Sequence, residues 1–231
     1  MNKRVLLFDI DGTLLDPQGE GLRYMRRALL DIFGVSGPID AYDMSGKTDW
    51  QIVTDLMRLA GVDPEVIKSR RAAAFSAYAQ QIERAAAGLQ IRAFPGVLPL
   101  LDRLKTDPMF ELGLLTGNVR EAVPHKLDAA GIDPTIFRFG AFGSEHRDRN
   151  QLPFLVLERL AALKNAPTDP KSVLVIGDTP RDIACARHAG MKVLSLATGR
   201  YDRDTLAHHH PDYLLDDLVD LDAVMAIFHR F

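Results

Sequence analysis

Two aspartates at the end of the first apolar run are the residues best suited to chemistry. Asp9 and Asp11 close the predicted strand Val5–Ile10 and directly precede Gly12. Because side chains alternate along a strand, both carboxylates point the same way while the chain is extended. Two buried acids side by side repel each other and lose hydration, a cost that a bound cation and a reaction centre would explain. The alternative is that one aspartate caps a helix and the other is solvated.

A second segment, Leu114–Asn118, has the same layout of an apolar strand followed by small and polar residues. It brings the Thr116 hydroxyl, the bare backbone of Gly117 and the Asn118 amide to one strand end. A helix that follows would point its N-terminal amides to the same place, which favours an anion. Capping of that helix by Thr116 or Asn118 is the alternative.

A third segment places Asp178 at the end of another apolar strand and Asp182 one helical turn later. Magnesium takes oxygen ligands and usually binds one or two carboxylates together with waters. Asp9 and Asp178 could supply these carboxylates if their strands are neighbours. Helix capping by Asp178 or Thr179 is the alternative, and it leaves the carboxylate at the strand end unexplained.

Predicted strands alternate with predicted helices along most of the chain. The predicted strands are Val5–Ile10, Glu111–Thr116, Phe139–Phe142, Val173–Gly177, Val193–Ala197 and Tyr213–Leu215. The helices between them are Val97–Leu104, Glu121–Ala130, Leu152–Leu163 and Arg181–Ala189. The runs 5–8 and 173–176 are apolar throughout, which is typical of strands covered on both faces. The pattern predicts an α/β fold with a parallel sheet, in which ligands bind at the carboxyl ends of the strands.

One region, from about Gly19 to about Arg92, interrupts this alternation. Its patterns are helical over Leu22–Phe33, Asp49–Ala60 and Pro64–Ala87, without a convincing strand. The region is too long for a crossover and too regular for a loop. We therefore predict a core formed by 1–16 and 93–231 and a helical insert at 17–92, placed over the active-site face like a lid.

Composition excludes several classes of protein. With 231 residues, 47% of them hydrophobic, the chain can bury a sizeable core. The net charge of −3 gives no sign of a nucleic-acid partner. No apolar stretch is long enough to cross a membrane, and Asn2–Arg4 leads straight into a strand instead of a signal peptide. The single cysteine, Cys185, excludes disulfides within the chain. We predict a cytoplasmic protein without a membrane partner and leave its oligomeric state open.

The motifs Asp9-x-Asp11-Gly-Thr and Gly-Asp178-Thr-x-x-Asp182 resemble those of the haloacid dehalogenase superfamily of aspartate-nucleophile hydrolases. The similarity is to its phosphatase branch, and the nearest subgroup resembles the phosphoglycolate phosphatase-like enzymes. The resemblance spans Val5 to about Leu215. It implies a doubly wound, Rossmann-like parallel sheet, with the helical insert as a cap domain of the C1 type.

The resemblance also implies roles for the aspartates. Asp9 would be the nucleophile and form an aspartyl-phosphate. Asp11 would protonate the leaving group and later deprotonate the hydrolytic water. Magnesium (Mg2+) would bind Asp9, the backbone carbonyl of Asp11, and Asp178, while Asp182 would hold the water shell of the ion or orient neighbouring groups.

The remaining implied positions concern the phosphoryl group. Thr116 and the amides of Gly117 and Asn118 would hold its oxygens, and Gly12 and Thr13 would lie beside them in the substrate site. These donors would offset the charge that an attacking carboxylate must approach.

The sequence departs from the family pattern at one element. The family has a lysine shortly before the helix that precedes the Gly-Asp motif, whereas Ser144–Pro153 contains none. We predict that Arg149 takes this charge role because of its distance from the helix, with Arg147 as the second choice. Arginine is always charged and can grip a phosphate with two donors. The alternative is a solvated loop of mixed charge.

Lys47 is the candidate contact from the insert. It follows a glycine and precedes a helix that Thr48 or Asp49 could cap. Lys47 could contact substrate in a closed site or be solvated.

The function that these features favour is a magnesium-dependent phosphatase acting on a small phosphorylated metabolite. A cap suits small substrates because closure excludes water and bulky phosphoproteins. A sugar-phosphate mutase would use the same residues. Carbon–halogen hydrolysis needs neither Asp11 nor Asp178, phosphonate cleavage would require Lys47, and a non-catalytic binding protein is supported only by the missing lysine.

Overall fold

The computed structural model describes residues 3–231. The first two residues of the predicted core, including Asn2 before the first predicted strand, lie outside the described part. Over these residues the chain forms eight strands. They are β1 (Arg4–Phe8), β2 (Leu15–Asp16), β3 (Arg92–Ala93), β4 (Phe110–Thr116), β5 (Phe139–Phe142), β6 (Val173–Gly177), β7 (Lys192–Leu196) and β8 (Tyr213–Leu215).

Six of these strands form one sheet in the order β5-β4-β1-β6-β7-β8, and all neighbours are parallel. The chain therefore winds outward from β1 in both directions, and the predicted doubly wound α/β fold is confirmed. In such a sheet, ligands bind outside the carboxyl ends of the strands where the winding direction reverses. Here that point lies between β1 and β6.

The helices that cover the sheet and form the insert agree closely with the predicted ones. They are α1 (Glu20–Phe33), α2 (Asp49–Leu59), α3 (Pro64–Ala85), α4 (Val97–Leu104), α5 (Val123–Ala129), α6 (Leu152–Lys164), α7 (Pro180–His188), α8 (Arg203–His208) and α9 (Leu221–Arg230). Helices α8 and α9 and the short strands β2 and β3 were not predicted from the sequence.

The first strand ends two residues earlier than predicted. The Ile10 carbonyl accepts hydrogen bonds from the amides of Thr13, Leu14 and Leu15, and these bonds fold the chain into a turn. The Asp9 amide still donates to the Ile176 carbonyl of β6 at 2.9 Å. Asp9 is therefore held by sheet pairing although it lies just beyond the strand.

Apolar residues on both faces explain why the central strands form. Val5, Leu6, Leu7 and Phe8 are fully buried, and so is the run 173–176 of β6. Alternate residues enter two different apolar clusters, with Leu6 and Phe8 in one and Val5 and Leu7 in the other. Burial on both faces fixes these two strands side by side at the centre of the sheet.

The helical insert α1–α3 leaves and rejoins the core at one place. Strands β2 and β3 pair antiparallel, Leu15 with Ala93 and Asp16 with Arg92. These pairs lie where the predicted insert begins and ends. The division of the chain into a core and a cap domain at 17 and 92 stays a prediction.

Over residues 3–231, no helix combines the length and the apolar composition that crossing a membrane requires. The cytoplasmic location stays a prediction.

Replacing Leu7 by Ala should lower the free energy of unfolding by about 2–5 kcal/mol, because the cavity left between β1 and its covering helices cannot collapse fully. Leu163, which is 62% exposed on α6, provides the matched control. We expect Leu163→Ala to change stability by less than about 0.5 kcal/mol. Urea unfolding of the three proteins measures both effects, and equal losses in the two variants would contradict the packing described here.

Candidate active site

A cavity of about 610 Å³ lies at the carboxyl ends of β1, β4 and β6, between the sheet and the helical insert. Eight of the predicted site residues line it: Asp9, Asp11, Gly12, Lys47, Gly117, Asn118, Arg149 and Asp178. The insert contributes apolar and aromatic wall residues, among them Met25, Tyr42 and Tyr78. The predicted residues Thr13, Thr116, Arg147 and Asp182 lie outside this lining.

Three buried carboxylates meet on the sheet side of the cavity. Asp9, Asp178 and Asp182 each offer an oxygen, and these oxygens lie within 4.8 Å of one another. Burial raises the pKa of Asp9 to about 6, against the opposing charge of Arg149. Burial, together with the charges of Asp182 and Asp9, raises the pKa of Asp178 well above its usual range. The cluster is therefore short of positive charge.

Arg149 supplies the cation of this cluster. Its Nη2 lies 3.0 Å from Oδ2 of Asp9 and 2.5 Å from Oδ1 of Asp182. Its Nη1 donates to the Gly46 carbonyl of the insert at 3.1 Å. Although burial opposes a charged guanidinium, Asp182 and Asp9 raise the pKa of Arg149 above its ordinary value. Arg147 instead pairs with Asp55 at 2.9 Å, so of the two candidate arginines the structure brings Arg149 to the nucleophile position.

Asp182 is occupied by protein donors on both oxygens. Oδ1 accepts from Arg149, and Oδ2 accepts from the Thr179 amide at 3.0 Å and the Thr179 hydroxyl at 2.7 Å. Thr179 in turn caps α7, as one of the two alternatives predicted. The cap does not exclude a charged site, because Asp182 takes part in both. This geometry favours the second role implied for Asp182, the orientation of its neighbours.

The donor set suits a hard divalent cation. Within the cluster, three carboxylates share one guanidinium, which leaves an excess of two negative charges if all are ionised. Asp9 and Asp178 would hold the ion, because Asp182 is used by Arg149 and Thr179. Magnesium takes oxygen ligands of this kind. The residues therefore fit the predicted metal.

Gly12 and Thr13 pack against the Asp178 carboxylate and fix its position. A Cβ at Gly12 would overlap the Asp178 carboxylate, and Gly12 has a φ of 86°, so both space and conformation require glycine. Thr13 is fully buried, and its hydroxyl donates to Oδ1 of Asp178 at 3.0 Å. Thr13 thus holds the candidate metal ligand, and its predicted place in the substrate site stays a prediction.

Thr116 at the end of β4 contacts Asp9, and residues 117 and 118 of the loop after it line the cavity. The Asn118 side chain donates to the Thr116 hydroxyl at 2.8 Å, and a hydrogen bond with Thr116 helps to lower the pKa of Asp9. Thr116 is fully buried and does not line the cavity, so its hydrogen bond orients Asp9 from the protein interior. Gly117 lies in the cavity wall, where the Lys47 carbonyl leaves no room for a Cβ.

Lys47 lies on the cavity wall, where it could contact a substrate. Its Nζ sits 3.8 Å from the centroid of the Tyr42 ring, a cation–π contact. Burial, together with the charge of Arg181, lowers the pKa of Lys47.

Two charged residues of the site, Lys126 and Asp49, were not predicted from the sequence. Lys126 of α5 has a fully buried side chain whose Nζ lies 2.5 Å from Oδ2 of Asp11 and 2.6 Å from Oδ1 of Asn118. Asp49 begins α2, accepts from the Val119 amide at 2.7 Å and is nine-tenths buried. Burial raises the pKa of Asp49 to about 7, against the opposing charge of Lys126.

A sequence signal for Lys126 did exist. Val123, Lys126, Leu127 and Ala130 follow the i, i+3, i+4, i+7 spacing of a buried helix face. A lysine within an apolar stripe indicates a buried charge that needs a partner.

Comparison with known proteins shows one family. A family model described as haloacid dehalogenase-like hydrolase matches residues 6–196. A phosphoglycolate phosphatase from Synechococcus elongatus is 28% identical over 218 residues, covering 94% of this chain and 95% of the relative. The crystal structure of CbbY from Rhodobacter sphaeroides with phosphate has a TM-score of 0.71 at 19% identity, covering 95% and 96% of the two chains. That of a hydrolase from Pseudomonas syringae has a TM-score of 0.70 at 22% identity, covering 97% and 99%.

Asp49→Asn should flatten the pH dependence of stability between pH 5 and 8. The pKa of Asp49 is about 7 in the folded protein against an ordinary 3.8. The stability that this group contributes is therefore fully present below about pH 4 and lost as the pH rises through about 7. Asparagine, which cannot ionise, removes this loss. Urea unfolding at several pH values in EDTA measures it.

The control for this variant is Asp55→Asn, in the same helix α2. Hydrogen bonds from Tyr42 and Arg147 lower the pKa of Asp55 in spite of its partial burial, so this group titrates only in acid. We expect this variant to keep the wild-type slope between pH 5 and 8. A slope that is unchanged in Asp49→Asn would contradict the burial of an ionising carboxyl at that position.

Proposed function

Because the chain belongs to the haloacid dehalogenase-like hydrolases, we propose that it is a magnesium-dependent phosphatase that cleaves a small phosphate monoester through an aspartyl-phosphate on Asp9. The predicted family and enzyme class, a phosphoric monoester hydrolase, are confirmed by the family match and by the phosphoglycolate phosphatase relative. The observation that carries the mechanism is the Asp9 carboxylate on the cavity wall, 3.0 Å from Arg149 and beside Asp178.

The first half of the reaction forms the enzyme–phosphate bond. A carboxylate oxygen of Asp9 attacks phosphorus, and the bond from phosphorus to the ester oxygen breaks. The leaving alkoxide takes a proton from the Asp11 carboxyl group, which lines the same cavity. Arg149 offsets the negative charge that gathers between the nucleophile and the phosphoryl group.

The second half releases phosphate. Asp11, now a carboxylate, accepts a proton from a water that attacks phosphorus, and the bond from phosphorus to Asp9 breaks. Inorganic phosphate leaves and Asp9 is restored. Thr116 keeps the Asp9 carboxylate in place in both halves through its hydrogen bond.

Asp9 and Asp178, with the backbone carbonyl of Asp11, would hold the magnesium ion. When bound, the ion supplies positive charge against the phosphoryl oxygens. Thr13 fixes Asp178 for this task through its hydroxyl. Burial and the acidic neighbours of Asp178 raise its pKa, and the charge of a bound cation would oppose this shift.

The insert would act as the cap that closes the cavity over the substrate. Its loop before α2 brings Lys47 to the wall, and α1 and α3 contribute Met25 and Tyr78. A cavity of about 610 Å³ accommodates a small phosphorylated metabolite. Phosphoglycolate is the first compound to test, because a relative of comparable length is named for it.

Phosphate release from a panel of small monoesters, phosphoglycolate included, should require both magnesium and Asp9. We expect turnover with magnesium, none with EDTA, and a loss of at least about 10³-fold in Asp9→Asn, because the nucleophile is removed.

Near-normal activity of Asp9→Asn would disprove the mechanism. Release with EDTA equal to that with magnesium would disprove the metal requirement. Conversion of a sugar phosphate to its isomer without phosphate release would identify a mutase.

Replacing Arg149 should reveal whether it serves as the charge that relatives take from lysine. Arg149→Lys keeps a cation, so we expect it to retain more activity than Arg149→Met, which should lose about 10²–10³-fold in kcat. Arg147→Met, whose wild-type side chain pairs with Asp55 away from the cavity, is the control and should stay near wild type. Steady-state phosphate release measures kcat for each variant. Equal losses of kcat in Arg147→Met and Arg149→Met would refute a specific role for Arg149.

A further inference from the structure

Lys126 is an ammonium group buried beside the candidate acid–base residue. Its side chain is fully buried, whereas the side chain of its partner Asp11 is 34% exposed. A lysine is almost never fully buried unless it is paired, because the charged form loses its hydration. Two close acceptors compensate it here, Oδ2 of Asp11 at 2.5 Å and Oδ1 of Asn118 at 2.6 Å.

The two oxygens of Asp11 have different surroundings. Lys126 binds Oδ2, while Oδ1 is buried and has no hydrogen-bond partner within residues 3–231. Asp11 also lines the cavity. Among the described residues, the contact with Lys126 is therefore the hydrogen bond that fixes the direction of this carboxyl group.

Lys126 also connects Asp11 to the nucleophile candidate. Asn118, which accepts from Lys126 through Oδ1, donates through Nδ2 to the Thr116 hydroxyl. Thr116 in turn forms a hydrogen bond with Asp9. A continuous chain of polar contacts therefore runs from Asp11 to Asp9 through one buried lysine.

Building on the proposed phosphatase function, we propose that Lys126 is a positioning residue for Asp11. Its ammonium group holds the Asp11 carboxyl group in the orientation in which it gives a proton to the leaving group and takes one from water. Lys126 acts through Asp11 and does not itself line the cavity.

The leaving group provides a test that a purely structural role would not pass. An alkyl phosphate needs a proton from Asp11 as its ester bond breaks, whereas p-nitrophenyl phosphate releases a stable phenolate without one. Lys126→Met should therefore lower kcat/KM about 10²-fold for the best alkyl ester of the panel and less than about 10-fold for p-nitrophenyl phosphate. Equal losses for the two esters would overturn the proposal.

Lys164→Met is the matched control. Lys164 lies on α6 and pairs with Glu111 at 2.7 Å, near the amino end of β4. This variant also loses a lysine from an ion pair, but far from the cavity. We expect unchanged kcat/KM for both esters, and a loss like that of Lys126→Met would show that the effect is general.

If Lys126→Met destabilises the folded protein, combining it with Asp11→Asn provides a second test. If Lys126 acts through Asp11, adding Lys126→Met to Asp11→Asn should lower kcat/KM for the alkyl ester by less than about 2-fold, because the group being positioned is already gone. A further 10-fold loss would assign Lys126 a separate role and overturn the proposal.

An experiment without turnover separates this inference from the proposed function. In ¹⁵N-labelled protein, the ammonium of Lys126 should give a slowly exchanging signal that is missing in Lys126→Met and shifted in Asp11→Asn. A signal that Asp11→Asn leaves in place would show that the contact is absent. If wild type cleaves neither ester, the phosphatase proposal fails and the positioning role fails with it. If wild type is active but Lys126→Met affects both esters equally, only the positioning role fails.

Discussion

The Arg149 guanidinium lies between two buried carboxylates, and the arrangement of the site follows from this contact. Asp9 and Asp182 share its Nη2, while Nη1 reaches the Gly46 carbonyl of the insert. Since removing the arginine would leave two buried carboxylates without an ion-pair partner, both acids depend on it. Asp182 is fixed by Thr179 at the start of α7, so one side chain ties β1, α7 and the insert together.

Charge balance then explains the rest of the acidic cluster. Arg149 compensates one of the three carboxylates, and within residues 3–231 Asp178 has only the Thr13 hydroxyl as a side-chain donor. A divalent cation would complete the balance. The side chains of Thr116 and Asn118 link this group to a second one, in which Lys126 lies near Asp11 and Asp49. The nucleophile candidate and the acid–base candidate thus each have their own cation.

The insert reaches this edge of the sheet through close backbone contacts. The Asp49 amide donates to the Gly117 carbonyl at 2.7 Å, and the Trp50 amide donates to the Gly143 carbonyl at 3.1 Å. A Cβ at Gly143 would overlap the Gly117 carbonyl. Glycine is therefore required for α2 to approach β4 and β5, and this approach sets the position of Lys47 on the cavity wall.

The six strands of the main sheet, their parallel pairing and the strand ends that carry the site could be predicted from consecutive residues. Apolar runs such as 5–8 and 173–176 encode burial on both faces, and a carboxylate one or two residues after each run marks the same edge of a parallel sheet. Spacing also favoured Arg149 over Arg147 for the charge role, which stays a prediction. These features are local, because periodicity and the residue that ends a run are written in consecutive positions.

Which side chains meet depends on the packed fold. Lys126 and Asp11 are 115 positions apart, and Asp49 and Val119 are 70 apart, so their contacts depend on how α5 and α2 pack on the sheet. The same packing brings Thr13 to Asp178 and Arg149 to Asp182. A sequence pattern shows that a charge will be buried, but the partner that makes its burial tolerable comes from a distant segment, and only the packed fold brings that segment into contact.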